Sequence, residues 1–166
     1  MLKLCIYPDP ALSAPTVPVD KFDDELKNLV AEMFETMHQA NGVGLAAPQI
    51  GKSLKLAVID VSPDKPEPLV LVNPVIVKKS RNKETDEEGC LSFPDIHAKI
   101  SRAAEVTVEA QDADGEKFTL QASGLLARCL QHEIDHLDGI FFVNRASIAA
   151  RLSLRSALKD LEDRAR

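Results

Sequence analysis

The sequence predicts an α+β fold in which antiparallel strands pack around a central helix carrying the pattern His-Glu-x-x-His, with a further helix at the C-terminal end. Three observations carry that expectation. Apolar residues recur at spacings of three and four between Asp20 and Gly42, as one face of an amphipathic helix requires. Short segments rich in β-branched residues follow as a group, before a second helical stretch begins. Asp114-Gly115 joins two of those segments as a tight hairpin, which makes that pair antiparallel. Strands grouped between helices, rather than alternating with them, indicate α+β.

A chain of 166 residues fits one compact domain, here 1–166, at the usual ~150 residues per domain. Apolar residues make up 45% and charged residues 28%, so wholesale disorder, a collagen-like fibre and a long coiled coil are excluded. No apolar stretch approaches the ~20 residues of a membrane helix; even Leu69 to Val77 is cut by Asn73 and Pro74. No membrane partner is expected. The opening MLKLCIYPDP turns at Pro8 and Pro10 before a signal-peptide core can form, so a cytoplasmic address is expected. A net charge of −6 argues against DNA or general nucleic-acid binding by the whole molecule. Three cysteines, Cys5, Cys90 and Cys129, offer no disulfide framework and fit a reducing compartment.

Residues 1–18 contain four prolines, Pro8, Pro10, Pro15 and Pro18, and are expected to run over the surface as an extended arm. The first helix then shows one face in Phe22, Leu26, Leu29, Val30, Met33, Phe34 and Met37, capped by Asp20 and followed by Gly42. Strands are expected at Leu54 to Val61, Leu69 to Val72, Val75 to Val77, Glu105 to Gln111 and Lys117 to Ala122. The charged run from Lys78 to Glu88 reads as a solvated loop, with Glu88 a candidate partner for Arg102. Ser123 caps a second helix over Gly124 to Leu137, which Gly139 ends, and a third helix runs from about Ser147 to the end.

The chemistry centres on His132-Glu133-Ile134-Asp135-His136 within the second helix. Residues four apart are separated by ~400° of rotation, so both imidazoles project from one face and can reach one metal ion. Glu133 stands ~100° round from His132, placed to act on a bound water without being a ligand. The competing reading is an exposed helix whose histidines share a side. A catalytic site needs a third protein ligand and an open position. Cys90, in Glu88-Gly89-Cys90-Leu91-Ser92, is the best candidate, against the alternative of a buried structural cysteine. Cys129 reads as packing or pocket lining, and Cys5 as core. The run Gly42-Val43-Gly44-Leu45-Ala46-Ala47-Pro48-Gln49 is dense in small residues that admit a substrate backbone, and Gln49 adds an amide donor for a developing oxyanion. Alone it is a weak signal, with a glycine-rich turn as the alternative.

Together and in this order, Gly42 to Gln49, Glu88 to Ser92 and Gln131 to His136 resemble the peptide deformylase motifs GxGLAAxQ, EGCLS and QHExxH. The likeness runs from Tyr7-Pro8-Asp9-Pro10 to Leu137-Asp138-Gly139 and beyond. The resemblance implies removal of the formyl group from N-formylmethionyl nascent peptides, releasing formate. It implies Cys90, His132 and His136 as ligands of one divalent metal ion, typically ferrous iron, with zinc, nickel or cobalt also accepted. It implies Glu133 as acid-base residue, Gln49 and the backbone amide of Leu91 as formyl-oxygen donors, and Val43, Gly44 and Gly89 as substrate-binding. His97 departs from the family, where many members have Arg, so the neighbouring peptide surface is expected to differ. The segment from Arg145 to Arg166 carries six basic residues against Asp160, Glu162 and Asp163. Packing on the domain is its first expected role, and the resemblance suggests ribosome association. Two rivals remain from the residues themselves. A zinc endopeptidase would more often complete the site with a later His or Glu, and a structural metal site would need a fourth protein ligand.

Overall fold

A computed structural model describes residues 1–62 and 64–166. The regular elements in chain order are α1 (Asp24–Gln39), β1 (Gly44–Ala46), β2 (Leu56–Ile59), β3 (Leu69–Lys79), β4 (Lys83–Cys90), β5 (Phe93–Ala103), β6 (Glu105–Gln111), β7 (Lys117–Ser123), α2 (Gly124–Leu137) and α3 (Ile148–Arg164). Five strands form one antiparallel sheet in the order β1-β2-β3-β6-β7, and β4 and β5 form a separate two-stranded ribbon.

Strand β2 explains how the layers stack. All four of its residues are buried, because alternate side chains point to opposite faces and both faces are covered. Ala57 and Ile59 join Leu71, Val106 and Val108 against Leu130, Ile134 and Leu137 of α2. Leu56 and Val58 face the other way and pack with Val72 against Met33 and Met37 of α1. Fully burying a side chain such as Leu130 contributes about 1.5–3 kcal/mol. The ribbon has its own apolar layer, in which Phe93, Ile96 and Ile100 of β5 meet Leu161 of α3 and Phe142 of the 3₁₀ turn, Phe142–Arg145, that precedes it. Helix α2 therefore lies between the sheet and the ribbon, and it touches both.

The helix α2 spans the residues its sequence predicts, with Ser123 at the N-cap in extended conformation and Gly139 beyond its end at φ 72°, the left-handed turn that favours glycine. The Asp114-Gly115 hairpin pairs β6 with β7 as expected, and α3 starts after Ser147, whose side chain accepts from Ala150 N–H.

Several expectations are corrected. Helix α1 begins at Asp24, four residues after Asp20, because the Asp23 carboxylate accepts the Leu26 N–H at 3.0 Å and caps it. The two segments on either side of Asn73-Pro74 are one strand. A register shift between Val72 and Val75 accommodates the proline, and Asn73, at φ 52°, ties the bulge to Val19 and Gln111. The charged run is not a solvated loop: Lys83–Cys90 is β4, in register with β5 from Lys83 opposite Ala103 to Gly89 opposite His97. The N-terminal arm is not simply extended, since Pro10–Leu12 makes a 3₁₀ turn that buries Leu12 completely. Cys5 is half-exposed rather than core.

Candidate metal centre and active site

Strand β4 ends at Cys90 and turns through Leu91-Ser92 into β5, which brings the Cys90 side chain over the middle of α2. Cys90 Sγ lies 3.3 Å from His136 Nε2, and His136 Nε2 lies 3.2 Å from His132 Nε2. All three donor atoms fall within 4.8 Å of one another. Two nitrogens at ~2.05 Å from a tetrahedral ion stand about 3.3 Å apart, and a sulfur at ~2.3 Å stands about 3.6 Å from each nitrogen. The observed spacings fit one ion with a fourth position to spare.

The ring orientation is set from behind. Glu88 Oε1 lies 3.0 Å from His132 Nδ1, so Nδ1 carries the proton and Nε2 keeps its lone pair for a ligand. Arg102 donates to both Glu88 oxygens, at 2.6 and 2.9 Å, and Arg128 donates to Glu88 Oε2 at 2.7 Å. Arg128 also donates to the Ile100 and Glu84 carbonyls, tying α2 to both strands of the ribbon. Arg102 reaches Asp135 at 2.9 Å, and Asp135 in turn accepts from Arg145.

Burial alone would raise the Glu88 carboxyl, but hydrogen bonds from His132 and Arg102 outweigh it and hold the group down at about 2. At His132 burial lowers the pKa, yet Glu133, Cys90 and Glu88 together raise it to about 10. His136, fully buried, is shifted the other way: burial, with the neighbouring His132 and Arg102, holds it well below the usual imidazole value.

Glu133, on the same helix, is buried, and its Oε1 makes no hydrogen bond among the described residues. Burial pushes its carboxyl up to about 7, against the lowering influence of His132 and Arg102. Gly44 is the reason this carboxylate fits: a β-carbon there would stand 2.9 Å from Glu133 Cδ and 3.1 Å from Cγ. Gly89 is similarly close to His97, whose Cδ2 would lie 2.8 Å from an added β-carbon.

Gln49 lies in a 3₁₀ turn, Ala47–Ile50, directly after β1. Its Oε1 accepts the Ala46 N–H at 2.9 Å, which directs Nε2 to Ser92 Oγ at 3.2 Å and Cys90 Sγ at 3.5 Å.

Every sequence-predicted site residue lies in this region. Val43, Gly44, Gln49, Gly89, Cys90, Leu91, Cys129, His132 and Glu133 all line one cavity of about 520 Å³, and His136 joins through its contacts with Cys90 and His132. Cys129 lines the cavity with its thiol raised to about 12, chiefly by burial. His97 stands on the cavity rim rather than in a distant loop. Sequence reasoning missed Arg128, Asp135 and Ser92. Arg128 had a signal, since it precedes His132 by one helical turn and must share its face.

A family model described as polypeptide deformylase matches residues 1–151. The chain is 52% identical over 149 residues to a peptide deformylase of Acidobacterium capsulatum, covering 87% of this chain and 86% of the relative. It is 47% identical over 159 residues to a peptide deformylase of Neisseria gonorrhoeae, covering 96% and 95%. The fold is similar to the crystal structure of Arabidopsis thaliana peptide deformylase 1B, with a TM-score of 0.95, 42% identity, and coverage of 99% of this chain and 92% of that one.

Proposed function

The chain belongs to the polypeptide deformylase family, and on that premise we propose that Cys90, His132 and His136 hold its metal ion while Glu133 carries the proton. It is a metal-dependent hydrolase that removes the N-formyl group from the formylmethionine of newly made proteins. The observation that carries the site assignment is the convergence of one sulfur and two Nε2 atoms within 4.8 Å beside the unpartnered Glu133 Oε1. In this reading residues 1–166 act as a single catalytic domain.

A divalent ion held by Cys90, His132 and His136 would supply Lewis acidity and would lower the pKa of water from ~15.7 to about 7. Glu133 accepts the proton of the attacking water. Its buried carboxyl, pushed up to about 7, is matched to proton transfer in both directions near neutral pH. Gln49 Nε2 and the Leu91 amide donate to the formyl oxygen as it gains charge; losing one such donor typically costs ~10²- to 10³-fold in rate. Glu133 then passes its proton to the departing amine, and formate leaves. Val43, Gly44 and Gly89 flank the substrate backbone, and Cys129 lines the cavity beneath it.

The sulfur and two imidazoles suit ferrous iron, zinc, nickel or cobalt, with ferrous iron assigned as the native ion. The basic side chains of α3, Arg151, Arg155, Lys159 and Arg164, support docking on the ribosome. All four are exposed, and binding to purified ribosomes that survives removal of α3 would refute this. No helix among the described residues is long and apolar enough to cross a membrane, and we assign the protein to the cytoplasm. Anaerobic purification with metal analysis and a formyl-Met-peptide assay tests the whole reading. Glu133→Ala is expected to retain the ion and lose deformylation; full activity in that variant would remove the proposed proton carrier.

A further inference from the structure

We propose that Ser92 is a positioning residue that aims the Gln49 amide at the reacting formyl oxygen, an inference that rests on the deformylase reading of Gln49. Both side chains are almost fully withdrawn from solvent, Ser92 at 0% and Gln49 at 1% exposure. The orientation of the Gln49 amide is unambiguous. The Ala46 N–H can be received only by oxygen, so Oε1 faces Ala46 and Nε2 faces the cavity.

Nε2 carries two hydrogens. Ser92 Oγ receives one at 3.2 Å, and the other faces Cys90 Sγ across a long 3.5 Å contact. That second hydrogen has only a weak acceptor, so a carbonyl oxygen gaining negative charge draws it easily. The terminal torsion of a glutamine is broad and soft, and the Ala46 contact alone restrains one end of the amide. Ser92 restrains the other end.

The backbone supports the same arrangement from outside. The N-terminal arm crosses behind both residues, with Cys5 N–H donating to the Gln49 carbonyl at 2.7 Å and Tyr7 N–H donating to the Ser92 carbonyl at 2.9 Å. Gln49 and Ser92 are thus tied together twice, by their side chains behind the cavity wall and by the backbone of the arm. Ser92 touches neither the proposed metal ligands' donor atoms nor the substrate path directly; it acts through Gln49.

The test is a double-mutant cycle on the metal-loaded enzyme with a formyl-Met peptide. Ser92→Ala is expected to lower kcat about tenfold, part of the ~10²- to 10³-fold carried by a whole oxyanion donor. KM and metal content should stay within about twofold. In a Gln49→Ala background the same change should have almost no further effect. An equal loss in both backgrounds would show a merely structural role and overturn the proposal. Full activity of Gln49→Ala alone would remove both this inference and the oxyanion role of Gln49. A second readout needs no turnover and no Ser92 variant. In zinc-loaded wild-type protein, one of the two Gln49 Nε2 protons, assigned by their absence in Gln49→Ala, should exchange with solvent far more slowly than the other. Equal and fast exchange of both would overturn the proposal.

Discussion

Removing the Glu88 carboxylate tests the structure at the point where stability and metal binding meet. Glu88 accepts from Arg102 at 2.6 and 2.9 Å and from Arg128 at 2.7 Å, and pairs with His132 Nδ1 at 3.0 Å, with all four side chains buried. In Glu88→Ala, Arg102 keeps Asp135 and Arg128 keeps two carbonyls, but two guanidinium groups share an uncompensated buried charge. Breaking a buried pair in this way costs about 3–5 kcal/mol. For a chain of this size each kcal/mol lowers Tm by about 2–4 °C, so the expected fall is roughly 6–20 °C. His132 also loses the acceptor that fixes its tautomer, which should weaken metal affinity by about 10–100-fold. Thermal unfolding followed by circular dichroism reads the first effect, and equilibrium dialysis against a metal chelator reads the second. Glu88→Gln keeps the volume and one acceptor oxygen, and should fall between wild type and Ala on both scales. A Tm within about 2 °C of wild type together with unchanged metal retention in Glu88→Ala would refute the reasoning.

Gly44→Ala should lower kcat about 10²-fold by displacing Glu133, since a shift near 1 Å at a reacting group costs that much; metal analysis should find the ion still bound, and unchanged turnover would contradict the contact. Cys90→Ala should lose the ion in elemental analysis, and full occupancy in that variant would disqualify the sulfur as a ligand. Tyr7 donates to Glu162 at 2.7 Å, and this bond, with burial and the nearby carboxylate charge, raises its hydroxyl to about 12. A raised pKa stabilises the folded state below the unfolded value near ~10 and is lost as pH climbs through about 12. Tyr7→Phe should therefore lower Tm at pH 7, and the difference from wild type should shrink above about pH 10; a gap that stays constant into that range would count against the bond.

What the sequence reveals and what it hides follow from how local each signal is. Helix α2 and the β6–β7 hairpin were legible because caps, turn residues and periodicity all lie within a few positions. Strand β4 was hidden because all but two of its eight residues are exposed; nothing in Lys83 to Glu87 alternates between apolar and polar. Its strand character comes from its partner β5, where Ile96, Ala98 and Ile100 do alternate, a pattern the sequence offered and that went unread. The convergence of the three candidate donors was legible from the spacing of His132 and His136 and from the Cys90 motif. Their supporting shell was only partly so: the Glu88–Arg102 pair was anticipated, whereas Arg128, Asp135 and Ser92 depend on the ribbon docking against α2, which no short window of sequence contains.

Cys90 and His136 stand 46 residues apart in the chain, one at the tip of the ribbon and one inside the helix beneath it. Neither piece assembles three donors by itself, so an unfolded chain offers an ion little purchase. A ligand that prefers the native state stabilises it by mass action, by about 2.7 kcal/mol at a hundredfold excess over Kd. An ion held by the proposed ligands would thus act as a clasp on the fold as well as a reagent. Chelators should then erode resistance to heat along with turnover.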